Sequence, residues 1–141
     1  MKKKPPRAVP CWDDYLMALC FIIASRSKDP STQHGAVIVD GKHRIQGTGY
    51  NGAPGAILDA DINWNRPEKY PFIIHAEENA IDHVVGHPDS LTDSTIYISG
   101  PPCHNCTKKI VSKRMRKIIY GPQNSNMVNE EDWQITKELT K

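Results

Sequence analysis

From Trp12 onward, apolar residues recur at three- and four-residue spacing through Trp12, Tyr15, Leu16, Leu19, Ile22 and Ile23, the stripe of a helix that buries one face. Asp13 is placed to cap its start. The stripe stops in the polar run Ser25-Arg26-Ser27-Lys28-Asp29-Pro30, where Pro30 biases Asp29 away from helical geometry. The period then changes: Ala36-Val37-Ile38-Val39 is apolar and largely β-branched, Asp40-Gly41 is a hairpin turn, and Arg44 to Tyr50 returns as the partner strand. Asn51 to Ile74 has no period of either kind and contains Asn51-Gly52-Ala53-Pro54-Gly55, Pro67 and Pro71. A loop of that length in a compact fold is usually functional.

Helical spacing resumes at Ala76, Ala80, Ile81 and Val84, in a helix that begins at His75. Thr95 to Ser99 reads as a strand and Gly100-Pro101-Pro102 breaks it. Cys103 to about Ser112 is a helix, Lys117 to Tyr120 a strand, and Glu130 to Leu139 a closing helix. An opening hairpin followed by alternating helices and strands predicts an α/β fold of three layers, α/β/α, with a mixed sheet of four to five strands.

The 141-residue length suits one domain, expected over residues 11–141. Residues 1–10, with Lys2-Lys3-Lys4 and three prolines, are expected to form a disordered basic tail. The formal net charge of +2 demands no nucleic-acid partner. The basic run from Lys108 to Lys117 reads as the wet face of a helix or as a hold for an anionic ligand or subunit. Leu16 to Ala24 is too short to span a bilayer and no leader is legible, so a cytoplasmic location without membrane contact is expected. Cys11 and Cys20 read as packing residues of the first helix rather than a disulfide.

The remaining cysteines carry the chemistry. Cys103 and Cys106, separated by two residues at a helix start, can share one metal ion, and the distant His75 supplies a third ligand. Three ligands leave zinc a place for water, the mark of a catalytic rather than a structural ion. Glu77 is placed to exchange protons with that water and a substrate. Glu78 points about a quarter-turn away on the helix, so only one of the two can face the metal. A structural zinc or nucleic-acid-binding module would need a fourth ligand, for which His104 is the local candidate. His83 and His87, four apart, read as exposed side chains rather than a second metal site. Trp64 either covers the site, packs against a partner subunit or anchors its loop.

H-x-E together with P-C-x-x-C is the signature of zinc nucleobase deaminases. His75-Ala76-Glu77 and Pro102-Cys103-His104-Asn105-Cys106 resemble the cytidine deaminase superfamily, which includes tRNA adenosine and riboflavin-pathway deaminases. Arg26-Ser27-Lys28-Asp29-Pro30, Gly49-Tyr50-Asn51-Gly52-Ala53-Pro54 and Lys69-Tyr70-Pro71 running into His75-Ala76-Glu77-Glu78-Asn79-Ala80-Ile81 narrow the resemblance to deoxycytidylate (dCMP) deaminases, from about Trp12 to Tyr120. The resemblance implies a cytidine-deaminase-like fold and hydrolysis of dCMP to dUMP on the way to thymidylate. It also implies one catalytic zinc ion per chain and a homo-oligomer, a hexamer among its forms, activated by dCTP and inhibited by dTTP. On the matching positions His75, Cys103 and Cys106 hold zinc and Glu77 shuttles protons. Asn51 contacts the sugar, the backbone around Ala76 and Pro102 holds the base edge, and Arg26 and Lys28 are candidates for the 5′-phosphate. Gly49, Tyr50, Asn51 and Gly52, with Asn79, border the effector nucleotide.

Three positions depart from that family's pattern. His34 stands where a small apolar residue is usual and either lines the nucleotide site or faces solvent. Gly121 to Asn126 lacks the aromatic that closes over the nucleotide in some members, and no fifth strand is legible after the last helix. Deamination of another cytosine nucleoside or nucleotide, or of a base in a nucleic acid, is the alternative within enzymes. Near-neutral charge and the absence of interleaved aromatic and basic residues weigh against the nucleic-acid form.

Overall fold

The structure, a computed structural model, describes residues 1–86, 88–122 and 130–140. Its elements run α1 (Trp12–Ala24), β1 (Gly35–Val39), β2 (Ile45–Tyr50), α2 (Ala76–Asp82), β3 (Thr95–Ile98), α3 (His104–Ser112), β4 (Lys117–Tyr120) and α4 (Glu130–Leu139). Residues 1–10 are exposed and carry no helix or strand. Among the described residues no helix is long and apolar enough to cross a membrane.

The four strands order as β2-β1-β3-β4, with β1 antiparallel to both neighbours and β3 parallel to β4. β1 is buried along its whole length, which is why it reads as a nearly continuous apolar run. Its side chains divide by alternation. Ala36 and Ile38 join Ile96 and Ile98 of β3 against Ala80, Ile81 and Ile110 of α2 and α3, whereas Val37, Val39 and Tyr97 face Leu16 and Cys20 of α1. One helix therefore covers one face and two cover the other, the three layers the pattern predicts, and α4 packs beside α3. Four strands are present among the described residues.

The face that α1 buries differs from the predicted one. Leu16, Cys20 and Ala24 are buried, while Trp12, Tyr15 and Ile22 stay exposed. Close approach decides this: a Cβ built on Gly35 would fall 2.0 Å from the Cys20 carbonyl oxygen and 2.8 Å from the Ala24 nitrogen, so small residues face the sheet. The helix start also differs. Cys11 is its exposed N-cap rather than a packing residue, and the Asp13 carboxylate accepts a 2.6 Å hydrogen bond from the Tyr97 hydroxyl instead of capping. Cys20 packs as expected, and burial pushes its thiol up to about 12, leaving it inert.

Gly49 fixes the other layer. A Cβ there would lie 2.3 Å from the Ala80 nitrogen and 2.5 Å from the Ala76 oxygen, so its lack of a side chain lets α2 settle against β2. Between them the long loop is pinned at its neck, where Gly52 and Ile74 exchange backbone hydrogen bonds of 3.1 and 2.9 Å. That bridge delivers the chain to His75, the N-cap of α2. On the other side β3 ends, Pro101 and Pro102 follow, and Cys103 is the N-cap of α3.

Candidate active site

Two helix starts on one face of the sheet bring His75, Cys103 and Cys106 together, with their donor atoms all within 4.8 Å of one another. His75 Nδ1 lies 3.5 Å from Cys103 Sγ and 3.3 Å from Cys106 Sγ. Zinc bonds of about 2.0–2.1 Å to nitrogen and about 2.3 Å to sulfur put tetrahedral N and S neighbours about 3.5 Å apart, so this donor set fits the ion. Among the described residues the group contains no fourth donor, and His104 is outside it. The Cys106 backbone N–H also points at Cys103 Sγ, 3.4 Å away, as the first turn of α3 requires.

The three donors compete for protons as metal ligands do. The hydrogen bond with Cys106 draws the Cys103 thiol down to about 4, and His75 adds to that. The same bond, with burial, pushes Cys106 far up. The bond to Cys103 raises His75 to about 9. If His104 completed a closed structural site, His104→Ala and His75→Ala would both strip the metal; the expected result by atomic absorption is that only His75→Ala does.

Glu77 sits in the first turn of α2, 6 % exposed. Burial pushes its carboxyl up, while His75 and a backbone N–H pull it back. It lines a cavity of about 670 Å³ together with His75, Ala76, Cys103, Pro102 and Asn51. The same cavity is walled by Asp29, Thr32 and His34 from the segment before β1, by Arg66, Lys69 and Tyr70 from the long loop, and by Glu131 and Ile135 from α4. His75, Glu77 and Cys103 thus meet in one concave site at the two helix starts.

Residues 10–122 match the family described as the cytidine and deoxycytidylate deaminase zinc-binding region. The chain belongs to that family. The human deoxycytidylate deaminase is 36% identical over 115 residues, covering 77% of this chain and 64% of its own. This chain therefore spans just under two thirds of that relative. A deaminase from the luxG 3′ region of Aliivibrio fischeri is 34% identical over 131 residues, with 91% of this chain and 86% of that one covered. In fold, the dCMP deaminase of cyanophage S-TIM5, solved with dCMP and dUMP, superposes with a TM-score of 0.73 at 21% identity, over 94% of this chain and 95% of that one. The fold is cytidine-deaminase-like, and the family's zinc-binding region coincides with the His75, Cys103 and Cys106 group.

Other residues singled out in the sequence lie elsewhere. Arg26 and Lys28 are exposed and do not line the cavity, and Lys28 Nζ is 2.6 Å from Asp59 on the long loop. Asn51 lines it with its amide engaged at both ends: Oδ1 accepts from the His34 N–H at 2.8 Å and Nδ2 donates to the Thr32 carbonyl at 2.9 Å. Gly49, Tyr50, Gly52 and Asn79 are outside the cavity, and Asn79 Nδ2 donates to the Tyr50 carbonyl at 2.8 Å. Trp64 anchors its loop through a 3.0 Å bond to the Asp59 carbonyl. His83 is the exposed C-cap of α2, while His87 and residues 123–126 of the stretch after β4 lie outside the described residues.

His34 resolves toward the site. Its ring lines the cavity with Nδ1 3.1 Å from Ser99 Oγ. Ser99 Oγ also accepts from the Gly35 N–H at 3.1 Å, so the one hydroxyl ties the His34 ring to the start of β1. Burial lowers the pKa of this histidine and keeps it neutral. Asp29 and Lys69 lie in stretches that carried the resemblance but were given no role there, and Thr32 and Arg66 carried no sequence signal beyond a hydroxyl and a charge.

Proposed function

We propose that this chain catalyses zinc-dependent hydrolytic deamination of dCMP to dUMP, with one catalytic ion per chain and a product that feeds thymidylate synthesis. The observation that carries this reading is a three-donor His75, Cys103 and Cys106 group, of which His75 and Cys103 share a cavity wall with the buried carboxyl of Glu77. The deoxycytidylate deaminases among its relatives support the choice of substrate.

A zinc ion held by His75 Nδ1 and the thiolates of Cys103 and Cys106 would supply Lewis-acid activation of water. Glu77 accepts a proton from the attacking water on its carboxylate, delivers it to the ring nitrogen beside the carbon under attack, and passes a second to the departing amine. The balance is dCMP and water to dUMP and ammonia. Burial suits Glu77 to this work, because raising its carboxyl pKa makes it readier to take the proton it then hands on. The backbone at Ala76 and Pro102 holds the base edge, and Asn51, locked by its two main-chain bonds, presents its remaining N–H to the sugar. Assembly into a homo-oligomer with dCTP and dTTP as effectors belongs to the same reading, with Tyr50 and Asn79, joined outside the cavity, as the effector border.

The test is ammonia release by the zinc-loaded protein from dCMP, cytidine, CMP and a cytosine-containing oligonucleotide, with and without dCTP. Turnover of dCMP above the others is expected, rising with dCTP. Turnover without a dCTP effect would remove the effector site, and no turnover of any substrate with zinc bound would remove the catalytic reading.

A further inference from the structure

The cavity wall carries two Lys or Arg side chains, and they are in opposite situations. Lys69 Nζ lies 2.8 and 2.6 Å from the two carboxylate oxygens of Asp29, with both side chains under 5 % exposed as the pair's values of 4% and 3% show. That pair brings no net charge to the cavity. Arg66 is exposed, and among the described residues it forms no ion pair; its Nη2 donates to Thr32 Oγ1 at 2.7 Å. A guanidinium carries five N–H donors in a rigid fork, so one bond to a hydroxyl leaves a further edge for two oxygens of an anion.

Thr32 is held firmly enough to brace that fork. Its carbonyl accepts from Asn51 Nδ2 at 2.9 Å and its N–H points at Asp29 Oδ1 at 3.4 Å. Since Thr32 Oγ1 accepts from Arg66, its hydroxyl proton is left to donate to the same anion. The Asn51 amide thus joins the wall next to His34 to the segment that aims Arg66.

We infer that Arg66, braced by Thr32, binds the 5′-phosphate of a nucleoside monophosphate in the active-site cavity and sets the preference for nucleotide over nucleoside. This rests on the function proposed above and names the residue that selects its substrate class. Arg26 and Lys28, the residues the family resemblance nominated, stay outside the cavity wall.

Ammonia release from dCMP and from deoxycytidine is compared for the zinc-loaded parent, Arg66→Ala and Arg66→Lys, alongside calorimetric titration of each with dUMP and with inorganic phosphate. Loss of a charge-assisted pair predicts a fall of about 10- to 100-fold in kcat/KM for dCMP in Arg66→Ala, with deoxycytidine far less affected. Arg66→Lys is expected between the two, because it keeps the charge and loses the fork. dUMP and phosphate binding should fall in step. A parent that binds dUMP and phosphate through Arg66 but releases no ammonia would uphold the anchor and sink the deaminase reading. Equal losses on both substrates, no loss on either, binding indifferent to Arg66, or loss of the dCMP preference in Arg26→Ala instead would overturn the anchor while leaving deamination of dCMP standing or falling on its own assay.

Discussion

Glu77→Gln should retain its zinc and lose about 10²- to 10⁴-fold in the rate of ammonia release, the range expected when a proton-transfer group is removed. The substitution conserves shape inside the first turn of α2, where the side chain is 6 % exposed, so packing and the neighbouring His75 are left in place. What changes is the ability to cycle a proton. A carboxyl whose pKa is raised by burial alternates between acceptor and donor, whereas an amide does neither. Single-turnover ammonia release together with zinc content by atomic absorption separates this from loss of metal. Glu78→Gln is the control, because Glu78 does not line the cavity. A Glu77→Gln rate within tenfold of the parent, with zinc bound, would remove Glu77 from the proton path.

The centre of this site was legible in the sequence because each half of it is local. A histidine and a glutamate two apart, and two cysteines three apart, need only a helix start to aim them, and the apolar spacing after His75 and the Gly100-Pro101-Pro102 break before Cys103 marked the two starts. The sheet was equally legible, since β1 is buried on both faces and reads as an unbroken apolar run. Helix α1 shows where that reasoning fails. Apolar spacing includes Trp12, Tyr15 and Ile22 in the buried stripe, yet the contact with Gly35 is so close that Cys20 and Ala24 turn inward and those three stay exposed. The cavity wall was hidden for a different reason. Thr32, Arg66 and Lys69 are polar residues in aperiodic segments, and they meet only after the Gly52 and Ile74 bridge has closed the long loop. The family resemblance drew attention to Arg26 and Lys28, but Lys28 is paired with Asp59 and neither residue lines the cavity.

Replacing Lys69 with Met is expected to cost about 3–5 kcal/mol of folding stability, the penalty for stranding one partner of a buried ion pair. Asp29 has few other resources: Oδ1 also accepts from the Ser31 N–H at 2.9 Å and lies 3.4 Å from the Thr32 nitrogen, while Oδ2 has the lysine at 2.6 Å. Met keeps most of the buried stem, so the loss measures the uncompensated carboxylate rather than a cavity. The pair clasps the long loop to the segment that carries Thr32 and His34, and weakening it should loosen the wall against which Arg66 is aimed. The double variant Asp29→Asn, Lys69→Met removes the stranded charge, so urea melts should show it regaining a large part of what the single change loses. A single variant within about 1 kcal/mol of the parent, or a double variant that loses the sum of the two, would mean that the clasp contributes no more than an exposed ion pair does.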